Sequence, residues 1–170
     1  KVQYNLYRKS FNVETHNFGE EDLIYDAASE DKSVTVPRIS PDGHYLLFAK
    51  GQYGCFHTRH SDSDVFCIPL DEDSSADIDL SKFNSEGYAD SYPSWSSNGQ
   101  WIMCSSRRYD GTYSRLYISY FNNGKVCKSF LLPQEDPEEN TYRLKCYNRP
   151  EFMIEPVKIS VDEFSKVFPE

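Results

Sequence analysis

Val36-Pro37-Arg38-Ile39-Ser40-Pro41-Asp42-Gly43-His44-Tyr45-Leu46-Leu47-Phe48 is echoed, without a gap, by Tyr92-Pro93-Ser94-Trp95-Ser96-Ser97-Asn98-Gly99-Gln100-Trp101-Ile102-Met103-Cys104. Ser40 falls on Ser96 and Gly43 on Gly99. A sequence that repeats itself over this length builds like units set side by side. Each copy runs from an extended stretch ending in serine, through a tight turn, into an apolar run. Pro-Asp-Gly and Ser-Asn-Gly are turn chemistry, because proline presets φ, Asp and Asn tolerate the left-handed region, and glycine enters it at little cost. The apolar runs that follow are too short for helices and read as strands buried on both faces.

Working outward, the later copy continues with an Asp-Gly turn at Asp110-Gly111 and the strand Arg115–Phe121. Asn122-Asn123-Gly124 turns again into Lys125–Phe130, which completes an antiparallel four-stranded meander. The earlier copy matches, with Asp64–Leu70 as its third strand and Ala76–Leu80 as a weak fourth. Its hairpin between the second and third strands is longer, from Gly51 to Ser63. Asn5–Phe11 reads as the third strand of another unit whose first half is missing. The fold expected is therefore all-β: about two and a half antiparallel four-stranded blades, with short C-terminal helices. The divisions expected are 1–28 (trailing strands of an incomplete blade), 29–83 (first complete blade), 84–132 (second complete blade) and 133–170 (tail).

These residues carry a resemblance. Pro-x-x-Ser-Pro-Asp-Gly, then an apolar strand and an Asp-Gly hairpin, resembles a TolB-like propeller blade, a relative of the WD-repeat blade. The similarity extends to TolB-like proteins of Bacteroidetes, some labelled as cytochrome c biogenesis proteins, over Leu23–Ala28, Val36–Phe48, Ser91–Gly111 and Pro133–Pro137. It implies a β-propeller, and a periplasmic or outer-membrane-associated location. The resembling proteins are much longer, and a propeller closes with about four to eight blades. The chain is thus expected to be the C-terminal part of a longer protein, consistent with a start at Lys1 rather than methionine. An oligomer or the remaining blades would cover its N-terminal edge.

Composition narrows the function. The chain has 170 residues and a net charge of −9, which disfavours nucleic acid, since phosphates demand a cationic footprint. No run of about 18 apolar residues occurs, so no membrane-spanning helix is expected. The five cysteines form no Cys-x-x-Cys pair. Cys67, Cys104 and Cys127 fall within strands and read as small apolar fillers, whereas Cys55 and Cys146 lie in less regular stretches.

In the tail, Asp136-Pro137-Glu138-Glu139 is a helix start, predicting a helix over Pro137–Tyr147 that stops before Pro150. Phe152–Ile154 and Val157–Ile159 read as extended pieces. Ser160-Val161-Asp162-Glu163 is a capping box opening a short helix with Val161, Phe164 and Phe168 on one side.

Two constellations stand out for chemistry. In the long hairpin, His57, His60, Asp62 and Asp64 lie within eight residues. Imidazole and carboxylate suit divalent metals, but His-x-x-His here lacks committed further ligands and Asp-x-Asp lacks the rest of a calcium loop. The favoured reading is a solvated or hydrogen-bonded hairpin with no metal, and its four side chains are candidates, with Arg107, Arg108 and Tyr109, for contact with a ligand. In the resembling family the positions of His60 and Asp64 sit in a similar hairpin. Arg107-Arg108-Tyr109 sets two guanidinium forks beside an aromatic, suited to carboxylates and the polar edges of sugars, or to pairing with acidic neighbours between blades. Glu86, Asp90 and Tyr92 would lie near a channel end, lining a ligand surface or capping strands. No nucleophile elbow, zinc-protease helix or phosphate loop is present. The expected function is a non-enzymatic binding or scaffold module engaging protein, peptide or glycan, without a cofactor. The alternative is the propeller of an enzyme, either a peptidase accessory domain or a glycan-acting lyase or hydrolase.

Overall fold

A computed structural model describes residues 1–71, 77–156, 158–160, 162–163 and 166. The described chain is predominantly β, in three antiparallel sheets that follow one another along the sequence. The first is a hairpin of β1 (Leu6–Asn12) and β2 (Asn17–Tyr25). The second is three-stranded, in the order β3 (Ser33–Ile39), β4 (Tyr45–Gly51), β5 (Asp64–Pro69). The third runs β6 (Asp90–Trp95), β7 (Trp101–Ser106), β8 (Arg115–Asn122), with β9 (Lys125–Val126) and β10 (Phe130–Leu131) both on the outer edge of β8. No helix among the described residues is long and apolar enough to cross a membrane.

The two sequence copies adopt the same backbone. The Ser40 hydroxyl donates to Asp42 Oδ1 and accepts the Tyr45 N–H at 2.9 Å. The Ser96 hydroxyl donates to Asn98 Oδ1 at 2.7 Å and accepts the Trp101 N–H at 2.9 Å. Gly43 and Gly99 each donate to the carbonyl of that serine at 2.9 Å, with φ of +80° and +68°. Upstream, both first strands carry a bulge before proline. Register breaks between Thr35 and Arg38 and between Ser91 and Ser94, and Val36 and Tyr92 sit at φ +53° and +52°. A bulge leaves one residue unpaired, and the following proline needs no ladder partner for its nitrogen. A β-branched residue rarely adopts a positive φ, so the surrounding strands must hold Val36 there.

Packing explains the unbroken apolar runs. On β4, Leu46 and Phe48 face one way, joining Ala27, Val34 and Ile68 beneath Leu6, Ile24 and Tyr25 of the N-terminal segment. Leu47 faces the other way, joining Val65 and Cys67 against Trp95, Ile102, Cys104, Tyr117 and Phe121 of the third sheet. The middle sheet is therefore buried on both faces, which alternation of side chains along a strand permits only when both alternate sets are apolar. On the far side of the third sheet, Ser105 Oγ lies within hydrogen-bond distance of the carbonyls of Tyr147 and Asn148 in the tail.

Four expectations need correction. The fourth strand of the earlier copy does not form over its described part, 77–80; only the Ile78 N–H reaches across, to the Cys67 carbonyl, and Ala76 lies outside the described residues. The fourth strand of the later copy is split into β9 and β10. Between them Ser129 is drawn away, its N–H to the Lys82 carbonyl and its hydroxyl to the Phe83 carbonyl. Cys127 falls in that break and is exposed, while Cys67 and Cys104 are buried fillers as expected; burial pushes the Cys67 thiol up to about 12. The tail helix shrinks to α1 (Glu139–Tyr142). Its continuation is prevented by Arg115, a fully buried side chain whose guanidinium takes the carbonyls of Asn140, Arg143 and Lys145. Residues 152–154 form no strand, and Val157 lies outside the described residues. The capping box is present, the Glu163 N–H meeting Ser160 Oγ and the Ser160 N–H meeting the Glu163 carboxylate. The Val161, Phe164 and Phe168 face lies outside the described residues.

Candidate functional site

The long hairpin between β4 and β5 is held by its own backbone. A short 3-10 turn over His57–Arg59 lets the His60 N–H reach the His57 carbonyl and the Ser63 N–H the His60 carbonyl. His57 is fully buried, with Nε2 at 2.9 Å from the Gly54 carbonyl. Desolvation, aided by the neighbouring His60, holds its pKa below the usual imidazole value. His60 packs on Tyr53 and His57, with ring centroids 4.7 and 5.6 Å away. Asp62 lies 3.8 Å from Lys32 Nζ. His57 Nδ1, His60 Nδ1 and Asp62 Oδ2 are buried without a hydrogen-bond partner among the described residues. Among the described residues, no three His, Cys, Asp or Glu side chains converge to hold a metal ion.

Asp64 leaves this group. It opens β5, where Asp90 of the next sheet and Arg108 just beyond β7 act on it, with lesser influence from Asp62 and Lys32. The junction is made by Ser63, whose carbonyl accepts the Asp90 N–H at 2.7 Å and whose hydroxyl donates to the Asp90 carbonyl. Asp90 is wholly buried and pairs with Arg108 at 2.8 Å. Its second oxygen accepts the Ser85 N–H at 2.7 Å. Burial pushes the Asp90 carboxyl up, and Arg108, Ser106 and Ser85 oppose it. At Asp64, burial first and then the Asp90 charge push the carboxyl up to about 6. The charges of Arg108 and Lys32 oppose the rise without cancelling it.

Arg108 is the best-anchored of the candidates. Its Nε donates to Ser106 Oγ, Nη1 to Ser129 Oγ and Nη2 to Asp90, and its guanidinium lies 4.3 Å over the Tyr117 ring. Its neighbours part from it. Arg107 uses its backbone to close the Asp110-Gly111 turn, and Tyr109 is exposed, 6.0 Å from the guanidinium of Arg115. The structure thus joins Asp64 to Arg108 through Asp90, keeps His57, His60 and Asp62 together, and leaves Arg107 and Tyr109 apart from both. Asp90 was readable only as part of a ligand surface or as a strand cap. Ser106, Tyr117 and Ser129 gave no signal, since no motif links an acid to an arginine across a strand pair.

Arg108 also lines a cleft of about 450 Å³ with Ser81, Lys82, Asn84, Ser85, Tyr117, Lys128 and Ser129. A second, more apolar groove of about 330 Å³ runs between the N-terminal hairpin and the middle sheet.

No family model matches the sequence, and no curated protein matches it. Among solved structures, 64% of this chain aligns with the crystal structure of a puromycin hydrolase mutant complexed with PGG, at 16% identity and a TM-score of 0.45, covering 15% of that chain. A further 66% alignment, to a structure from work on two prolyl endopeptidases, has 12% identity and a TM-score of 0.31 and covers 23% of that chain. The chain thus spans less than a quarter of the length of either, and likenesses of this size bear no functional argument.

Proposed function

We propose that the chain is a non-enzymatic binding or scaffold module, built as about two and a half TolB-like propeller blades, that engages a protein, peptide or glycan. On this reading residues 29–83 and 84–132 are blades, 1–28 are trailing strands of another, and 133–170 are a tail laid on the last sheet. The carrying observation is the duplicated bulge-and-turn: two consecutive antiparallel sheets share it, hydrogen bond for hydrogen bond, and stack face to face through Leu47 and Trp95. Radial repetition of such sheets is how a propeller is made.

Binding is favoured over chemistry by how the ionisable groups are used. Asp90, the most buried carboxylate among the described residues, is consumed by Arg108 and Ser85, and the buried histidine faces Gly54 rather than a nucleophile. A periplasmic or outer-membrane-associated setting rests on the resemblance alone. Tyr7, Phe11, Phe18 and Leu23 of the N-terminal hairpin are exposed, and further blades or a second copy would cover them.

The test is a thermal-shift screen of peptides and oligosaccharides, followed by analysis of each hit after prolonged incubation. A hit should raise the midpoint with occupancy and be recovered intact. Cleavage of a hit, abolished by Asp64→Asn or Asp90→Asn, would replace this reading with the enzymatic one.

A further inference from the structure

We propose that the cleft floored by Arg108 binds the carboxylate of a small ligand, such as the free C-terminus of a peptide, a reading that rests on the binding role above. The chain carries 27 acidic and 18 basic residues, yet the charged groups lining this cleft are Lys82, Arg108 and Lys128, with no acid among the described lining residues. A cleft of one sign in a protein of the other focuses the field on an incoming anion.

Arg108 is preorganised to meet one. Of the five N–H protons of a guanidinium, one each goes to Ser106, Ser129 and Asp90, and two remain. The Tyr117 face below and the buried Asp90 beside fix the fork in plane, so little freedom is lost when an oxyanion docks. Asp90 cancels most of the Arg108 charge, leaving the two exposed lysines to supply the net attraction and Ser81 and Ser85 to add hydroxyl donors. A planar carboxylate, with its two oxygens side by side, is matched by the N–H protons left on a fork held in one plane. A neutral sugar would find cations where it needs acceptors.

Calorimetric titrations would use N-acetyl-dialanine and its amide, glucuronate and glucose, and inorganic phosphate. The free acid should bind and its amide should bind at least about tenfold more weakly. Glucuronate binding above glucose would place the carboxylate on an acidic sugar rather than a peptide, with the site unchanged. The Lys82→Ala/Lys128→Ala double variant, both sites exposed, should keep the wild-type melting temperature and weaken acid binding at least about tenfold. Arg108→Lys, which keeps the charge and loses the fork, should weaken it as well. Equal binding of acid and amide, no response to either acid, an unaffected double variant, or phosphate binding tighter than the acids would each overturn the proposal. A neutral peptide or glycan that still binds in the screen would leave the broader binding role standing.

Discussion

The middle and third sheets share a backbone and part company over side chains. Their turns make the same hydrogen bonds, yet aligned positions have opposite fates: Ile39 is 62% exposed and Trp95 only 9%. Val34 and Asp90 also align, and both are buried, one among apolar neighbours and one in an ion pair. Each sheet holds a cation over an aromatic ring and against a carboxylate. Lys50 lies 4.0 Å from the Phe66 ring centroid with Glu30 at 2.8 Å, and Arg108 lies over Tyr117 with Asp90. The Glu30 side chain is 46% exposed and the Asp90 side chain fully buried. Local hydrogen bonding dictates the turn wherever it occurs, while the neighbour that a sheet packs against decides what its side chains contribute.

That contrast can be broken most forcefully at its aligned pair. Trp95→Ala should cost about 3–5 kcal/mol in urea unfolding, because it opens a core cavity and frees the Arg38 carbonyl that the indole N–H holds at 3.0 Å. Ile39→Ala should stay within about 0.5 kcal/mol. Similar losses at both sites would mean the two sheets are not differently loaded. Next, Asp90→Val would give the third sheet the residue the middle one has at Val34. A loss of about 3 kcal/mol is expected from stranding Arg108, whose side chain is 14% exposed, and Arg108→Met added to it should recover most of the loss.

The turns themselves should behave alike. Ser40→Ala and Ser96→Ala each remove one buried acceptor for a strand N–H, for about 1 kcal/mol apiece. A twofold difference between them would show that the shared bonding hides unequal strain.

An effect of similar size is one of pH. The Asp64 carboxyl titrates near 6 when folded, against about 3.8 ordinarily, so between those values the native state holds the extra proton. Stability should therefore fall as pH rises from about 4 to 6 and level off above. The drop should be about 1 kcal/mol, once the water that still reaches the group is allowed for. Asp64→Asn should flatten that segment of the melting-temperature profile; an unchanged slope would assign it to other groups.

What the sequence made legible was local. Ser40 to Gly43 encodes its turn within a few residues, and Leu46–Phe48 announces burial on both faces by lacking polar alternation. What it hid was decided at a distance. The break between β9 and β10 depends on Phe83 and Lys82 capturing Ser129, and the short α1 depends on Arg115 claiming carbonyls some thirty residues on. The candidate list was half regrouped for the same reason. Asp64 and Arg108 belong to one electrostatic unit because sheet packing brings both into the field of Asp90, on another strand. Tyr109 adjoins Arg108 in sequence but stands beside Arg115, and the Arg107 carbonyl closes the Asp110-Gly111 turn.

The indole of Trp95 reaches across from one sheet to the Arg38 carbonyl of the next, and the chain has just one other tryptophan, Trp101, edge-on to Tyr120. The molecule therefore carries its own optical gauge. Replacing Trp101 with phenylalanine would leave a single tryptophan at the seam, which excitation at the red edge selects over the tyrosines and whose colour reports wetting there. A red shift at denaturant levels that still leave the far-ultraviolet circular dichroism intact would reveal layers that slide apart before they unravel.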